Sequence, residues 1–292
     1  MRKLFILGAL SVSSLLSAQT PIQVKLAEGK VVDEKPVIKG WINADEYTEA
    51  TLTIYPASKP NGQAIIACPG GGYAGIATTH EGHDMAAWFN TQGITYAVLH
   101  YRMPYGNHEI PLSDAHQAIR YMRKHADQWN IRQLGIMGSS AGGHLASTAA
   151  THFDAETRPD FQILFYPVIT MGEYTHQGSK NLLLGKNPSE ELVKLYSNEL
   201  QVNEQTPPAF IMHSSDDTGV PVVGPMQIGT FTDNADHIIE EDKILFRGYI
   251  SVRDLGDKGG SWEDIWGEPT VTVSYENGQL VTDDALCQAV LS

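Results

Sequence analysis

From residue 63 the apolar positions fall into a repeating rhythm of short runs and longer amphipathic stretches. Gln63–Cys68 and Ile94–His100 are nearly continuous apolar runs, and Leu134–Met137, Phe161–Val168 and Phe210–His213 read the same way, which predicts buried strands. Between them, Glu81–Gln92 is helical in pattern, with Met85, Trp88 and Phe89 on one side. Ser113–Asn130 sets Ala115, Ile119, Met122, Ala126 and Trp129 on one helical face, with Ser113 as the expected cap. Ala141–Thr151 is an Ala-rich helix. Strand and helix in alternation predict βαβ units, hence an α/β fold with a mainly parallel sheet and helices on both faces. In such sheets the chemistry lies in loops at the carboxyl ends of the strands.

Departures from this rhythm set the boundaries. Residues 22–60 are polar and Lys/Glu-rich, with an alternating stretch at Leu52–Tyr55 that suggests an edge strand. Residues 171–207, rich in Gly, Asn, Ser and Pro around a helix at Glu190–Asn198, read as an insertion over the loop ends. Beyond residue 222 the pattern changes in kind: Thr270–Tyr275, Asn277-Gly278 and Gln279–Thr282 predict a β-hairpin in a divergent segment, 223–292. At the other end, Arg2 and Lys3 precede an apolar stretch from Leu4 to Leu16 and the small residues Ser17 and Ala18. This reads as a signal peptide over residues 1–18, so an exported protein with a core at 19–222 is expected.

Composition narrows the function. The chain has 292 residues, 42% hydrophobic and 18% charged, which is globular in character. With 20 Lys and Arg against 34 Asp and Glu, its net charge of −14 repels nucleic acid at long range. The 2 cysteines, Cys68 and Cys287, are too few for a multi-cysteine zinc site or a disulfide scaffold.

The chemistry concentrates at three strand ends. After Leu134–Met137 comes Gly138-Ser139-Ser140-Ala141-Gly142, a G-x-S-x-G sequence between strand and helix. It forces Ser140 into a sharp turn and leaves its hydroxyl exposed at a helix N-terminus. After Gln63–Cys68 comes Pro69-Gly70-Gly71-Gly72-Tyr73, where glycines let backbone N–H groups face a carbonyl oxygen. Gly71 or Gly72, with the Ala141 N–H, would supply the two donors that acyl transfer requires. After Phe210–His213 comes Asp216-Asp217-Thr218-Gly219, where Asp217 is the expected acid that steadies a histidine, with Asp216 as the alternative.

Together these segments resemble the secreted α/β-hydrolase esterases of the acetyl xylan esterase and feruloyl esterase type, over residues 47–222. The resemblance rests on Cys-Pro-Gly-Gly-Gly-Tyr at 68–73, His-Glu-Gly at 80–82, Tyr-Arg-Met-Pro at 101–104, Gly-Ser-Ser-Ala-Gly-Gly-His-Leu-Ala at 138–146, Leu-Phe-Tyr-Pro-Val at 164–168, and Pro-Pro-Ala-Phe before His213 and Asp217. It implies deacylation of carbohydrate esters, most simply acetyl esters on plant cell-wall polysaccharide such as xylan, without cofactor or metal. It also maps Ser140 as nucleophile, Asp217 as triad acid, and Gly71, Gly72 and Ala141 as oxyanion donors.

The histidine departs from that pattern. Where the resemblance places a Gly-Gly-His-Gly turn, this chain has Lys258-Gly259-Gly260-Ser261-Trp262. His237 is the remaining candidate after Asp217, just far enough along for a crossover helix of roughly a dozen residues and a strand of about five. Val223–Asn234, with its glycines, Pro225 and β-branched residues, is poor helix material for that crossover. Two other readings follow: an esterase scaffold that lacks its histidine and binds carbohydrate, and a serine peptidase of the prolyl-oligopeptidase kind. Elsewhere, His144 is expected to hydrogen-bond beneath the nucleophile, and His213 is a secondary candidate for the base. His80, Glu81, His83 and Asp84 fit a helix start better than a metal site, and Cys68 fits a buried small residue. Tyr73, Tyr101 and Trp88 either line a sugar pocket or pack in the core.

Overall fold

The computed structural model describes residues 20–33, 36, 38–43, 48–214 and 217–221, and the backbone of 273–276 and 279–282. The proposed leader at 1–18, Asp216 and His237 lie outside the described residues.

The chain opens with a hairpin of β1 (Ile22–Lys25) and β2 (Lys30–Asp33), followed by the two-residue strand β3 (Ile42–Asn43). Then come β4 (Thr51–Tyr55), β5 (Gln63–Cys68), β6 (Gly75–Ile76), α1 (Ala86–Thr91) and β7 (Thr95–His100). α2 (Glu109–Lys124), β8 (Gln133–Ser139), α3 (Ser140–Ala149) and β9 (Phe161–Phe165) complete the central alternation. α4 (Gln177–Leu184), α5 (Glu190–Leu195) and β10 (Ala209–Met212) follow, and β11 (Val273–Glu276) pairs antiparallel with β12 (Gln279–Thr282). Among the described residues, no helix is long and apolar enough to cross a membrane.

The main sheet has eight strands in the order β10-β9-β8-β5-β7-β4-β1-β2. Strands β7, β5, β8, β9 and β10 run parallel, and β4, β1 and β2 extend the sheet antiparallel. The centre is explained by composition: β7 is buried at every position and β5 at all but Gln63, as expected of strands covered on both faces. The parallel arrangement brings the ends at Cys68, Ser139, Phe165 and Met212 to one edge.

α3 is buried from Ala141 to Ala149, and its small residues let it lie close to the sheet. A Cβ on Gly142 would come within 2.0 Å of the Cys68 carbonyl oxygen, and one on Gly138 within 2.1 Å of the Gly142 carbonyl. α2 buries Ala115, Ala118, Ile119 and Met122 as its periodicity requires.

Helix boundaries differ from the expected ones. α2 begins at Glu109, because Pro111 is tolerated in a first turn, where its missing N–H has no partner to lose. Ser113 therefore lies inside the helix and does not cap it; its hydroxyl donates to the Ile110 carbonyl. The helix ends at Lys124, and a 3₁₀ turn at Ala126–Trp129, closed by left-handed Asn130, brings Trp129 back into the core. The helix expected over Glu81–Gln92 is shorter, a 3₁₀ turn at His83–Met85 followed by α1, and Trp88 faces outward at 59% exposure. β9 stops at Phe165, three residues earlier than expected, because Tyr166 takes a φ of 35°. The helix expected at Glu190–Asn198 ends at Leu195, and a separate 3₁₀ turn spans Asn198–Leu200.

Candidate active site

Ser140 is the first residue of α3, immediately after β8, and its φ is 52°. An ordinary side chain in the left-handed region costs roughly 1–2 kcal/mol, so the surroundings must hold it there. They do so from both sides. The tight contacts of Gly138 and Gly142 leave no room for a wider turn, and the Ser140 carbonyl accepts from Val168 N–H at 3.0 Å. The side chain remains partly exposed at the sheet edge.

The glycine loop lies against this turn. A Cβ on Gly70 would stand 3.0 Å from Ser140 Cβ. Gly71, Gly72 and Tyr73 all have positive φ, at 142°, 64° and 61°. Glycine is required at 71, where a Cβ would strike the Gly75 carbonyl at 2.1 Å. The loop is closed by Ala74 N–H to Gly71 O and Ala77 N–H to Gly70 O, each 2.9 Å. Among the described residues no acceptor faces the N–H of Gly71 or Gly72. Ala141, in the first turn of α3, likewise has no intrahelical acceptor for its N–H. The structure thus sets the loop that carries Gly71 and Gly72 against the turn that carries Ser140 and Ala141, with Gly70 at the contact.

Tyr73 and Tyr101, left open between pocket and core, are core residues: they are 2% and 0% exposed. Tyr101 donates to the Pro69 carbonyl at 2.7 Å, and Tyr73 bonds His144 Nδ1 at 2.9 Å. His144 Nε2 lies 2.9 Å from the Tyr196 carbonyl, so Nε2 carries the proton and Nδ1 accepts from Tyr73. Burial lowers the His144 pKa to about 4, which keeps the ring neutral as a structural hydrogen-bonder. Cys68 is fully buried and burial pushes its thiol pKa up, so it is inert.

Asp217 sits on the turn after β10. Its Oδ1 accepts from the N–H groups of Gly219 and Val220, each at 2.8 Å. Its Oδ2 lies 3.5 Å from His213 Nε2. His213 is buried, and its Nε2 donates to the Val220 carbonyl at 2.8 Å. Burial lowers its pKa. These contacts fix His213 as a strut inside the Asp217 turn, and no bond joins it to Ser140, which argues against its use as the base. His80, Glu81, His83 and Asp84 do not converge on a common point. His83 instead joins Tyr55 and His100, with Nδ1 2.8 Å from the Tyr55 hydroxyl and Nε2 3.1 Å from His100 Nε2.

Glu81, expected at a helix start, and Tyr166, from the Leu-Phe-Tyr-Pro-Val segment, meet at this edge. Glu81 Oε2 accepts from Gly70 N–H at 2.5 Å, and its Oε1 accepts from the Tyr166 hydroxyl at 2.9 Å. The insertion also reaches the edge. A Cβ on Gly72 would lie 3.7 Å from His176 Cε1. Asn198, fully buried, bonds Ser147 Oγ, Thr148 Oγ1 and the His144 carbonyl on α3.

Comparison with known proteins agrees with this architecture. The BD-FAE family model matches residues 52–228. An acetylxylan esterase of Xylanibacter ruminicola is 40% identical over 228 residues, covering 76% of this chain and 44% of that protein. Endo-1,4-beta-xylanase B of Butyrivibrio fibrisolvens is 38% identical over 206 residues, covering 65% of this chain and 31% of that protein. The chain therefore spans less than half the length of either relative. A solved acetyl ester-xyloside bifunctional hydrolase from Caldicellulosiruptor lactoaceticus superposes with a TM-score of 0.64 at 35% identity, over 76% of this chain and 84% of that one. Since the matched span holds both the Ser140 turn and the glycine loop packed against it, the chain belongs to the BD-FAE family and has the α/β-hydrolase fold.

Proposed function

We propose that this chain is an exported serine esterase that removes acyl groups, chiefly acetyl, from cell-wall polysaccharide such as xylan. The observation that carries the reading is Ser140 at φ 52° at the head of α3, set against a loop whose Gly71 and Gly72 N–H groups have no partner among the described residues. The names of the two xylan-related relatives support the substrate class, and the basic-then-apolar start of the chain supports export.

In this reading Ser140 Oγ attacks the ester carbonyl and gives its proton to an imidazole, for which His237 is the candidate. The carbonyl oxygen, now negative, takes hydrogen bonds from Ala141 N–H and from Gly71 or Gly72 N–H. In a site from which water is excluded, such donors contribute more than they do in solution. The imidazolium gives that proton to the sugar oxygen as the bond from acyl carbon to sugar oxygen breaks, so the sugar leaves as an alcohol and an acetyl-serine remains. Water, deprotonated by the same imidazole, releases acetate. Asp217 suits the supporting role: Oδ1 is fixed by two backbone N–H groups, and Oδ2, 3.5 Å from His213 Nε2, is the oxygen proposed to support the imidazole.

The test is acetate release from p-nitrophenyl acetate and from acetylated xylan by wild type and Ser140→Ala. Loss of a triad serine costs on the order of 10⁶ in kcat, so only background should remain. Equal rates would remove Ser140 from the mechanism. A second reading, a carbohydrate binder on the same scaffold, is favoured by Ser261 standing where the resemblance places histidine. Binding of acetylated xylan with no acetate release by wild type would select it.

A further inference from the structure

We propose that Glu81 is a positioning residue for the esterase site, a carboxylate clamp that holds the oxyanion loop in register with Ser140. This inference rests on the serine-esterase reading above. Glu81 reaches across the edge from a rigid turn. His83 N–H bonds the Thr78 carbonyl at 2.8 Å, and a Cβ on Gly82 would strike that carbonyl at 2.4 Å. The Glu81 side chain is only 13% exposed. One oxygen takes the N–H of Gly70, in the loop after β5, and the other takes the hydroxyl of Tyr166, in the loop after β9. Ser140, after β8, lies between them in the sheet order. Both Glu81 Oε2 and Ser140 Cβ stand within 3.0 Å of the point where a Cβ on Gly70 would sit.

The physical need is clear from the loop's composition. Three consecutive glycines lose more backbone entropy on ordering than any other residues would. Gly70 is the first of them, and a charge-assisted bond to its N–H, roughly twice as strong as a neutral one, fixes the point from which Gly71 and Gly72 turn. That bond also takes the Gly70 N–H out of the donor set and leaves those of Gly71 and Gly72 for the substrate oxygen. Tyr166 holds the other end. Its pKa is raised by burial and then by Glu81, so it remains a donor at neutral pH. An error of about 1 Å in such an arrangement costs on the order of 10²-fold in rate.

The test uses Glu81→Ala, Glu81→Gln and Tyr166→Phe in the full chain, with kcat and KM on p-nitrophenyl acetate and the ¹H–¹⁵N resonance of the Gly70 amide. Glu81→Ala is expected to lower kcat on the order of 10²-fold with KM little changed, and to move the Gly70 amide upfield. Glu81→Gln is expected to recover most of that rate, since its Oε1 accepts from Gly70 while its Nε2 donates to the Tyr166 oxygen. Tyr166→Phe should fall between them. Wild-type kcat in Glu81→Ala, or a Gln variant as impaired as the Ala variant, overturns the clamp. If wild type itself releases no acetate, the serine-esterase reading fails separately. The Gly70 amide then decides alone, and an unmoved resonance in Glu81→Ala overturns the clamp.

Discussion

The Tyr73 hydroxyl meets His144 Nδ1 at 2.9 Å, and this buried bond joins the glycine loop to the helix headed by Ser140. Tyr73→Phe removes the donor and leaves a buried ring nitrogen without its partner. Thr148 Oγ1, 3.4 Å from that nitrogen, is already committed to the His144 carbonyl at 2.7 Å. An unsatisfied buried acceptor costs about 1–3 kcal/mol. For a chain of this size that lowers the melting temperature by several degrees, at roughly 2–4 °C per kcal/mol. Thermal unfolding by circular dichroism measures it; an unchanged midpoint would show that the two segments are held together elsewhere.

The strained turn gives a prediction separable from activity. Ser140→Gly and Ser140→Ala both remove the hydroxyl, but only glycine adopts φ 52° freely. The Gly variant should be the more stable of the two by about 1 kcal/mol, read as a difference in urea midpoint at constant m-value. If Ala is the more stable, the left-handed conformation of residue 140 is wrong.

What was legible in the sequence, and what was not, divides along the range of the forces involved. The central strands were visible because burial on both faces leaves long apolar runs, as in β5 and β7. The Ser140 turn and glycine loop were visible because each needs glycine at fixed offsets. The β1–β2 hairpin was missed: β1 alternates over residues 22–26, but Val31 and Val32 on β2 are exposed at 46% and 49%, so no alternation marks its partner strand. The start of α2 was missed because Ser113 has the chemistry of a cap, while Pro111 in the first turn was the truer signal. The cross-edge role of Glu81 was illegible for another reason. Its partner Tyr166 lies 85 residues further along the chain, and only the sheet order brings it beside Glu81 and Gly70. Likewise, no local pattern shows that His213 spends its Nε2 proton on the Val220 carbonyl.

Buried neutral histidines set the acid limit of the fold. Burial lowers the pKa of His83 to about 4, and burial with the neighbouring His83 lowers that of His100 to about 3. Their Nε2 atoms face each other at 3.1 Å, so charging both would oppose two cations. His144 is lowered to about 4 by burial. In the unfolded chain each ring titrates near 6.5, so below that pH the unfolded state takes up protons that the folded state refuses. The stability is whole above about pH 6.5 and falls as the pH drops toward 4. Each ring contributes a slope approaching about 1.4 kcal/mol per pH unit, and most carboxylates do not titrate until lower pH. Urea midpoints at pH 7, 6 and 5 should decline steadily. A flat profile across that range would mean that these rings charge without penalty.

Asp217 closes a turn and is the proposed triad acid, and two substitutions separate these roles. Its Oδ1 closes a turn by accepting from Gly219 and Val220, while Oδ2, 3.5 Å from His213 Nε2, is the oxygen proposed to steady the catalytic histidine. Asparagine keeps a carbonyl oxygen for the turn and loses the charge; alanine loses both. Asp217→Asn should therefore fold with near-wild-type stability. Its kcat should fall by about 10⁴, the loss the corresponding acid-to-amide change produces in a serine protease triad. Asp217→Ala should match that catalytic loss and also unfold at a lower urea concentration. Removing two hydrogen bonds to a charged acceptor, each worth about 1.5–3 kcal/mol, accounts for the difference. The decisive quantity is kcat of the Asn variant on p-nitrophenyl acetate. If it stays within a few-fold of wild type while the Ala variant is merely less stable, Asp217 only shapes the loop after β10, and the acid of the triad lies elsewhere.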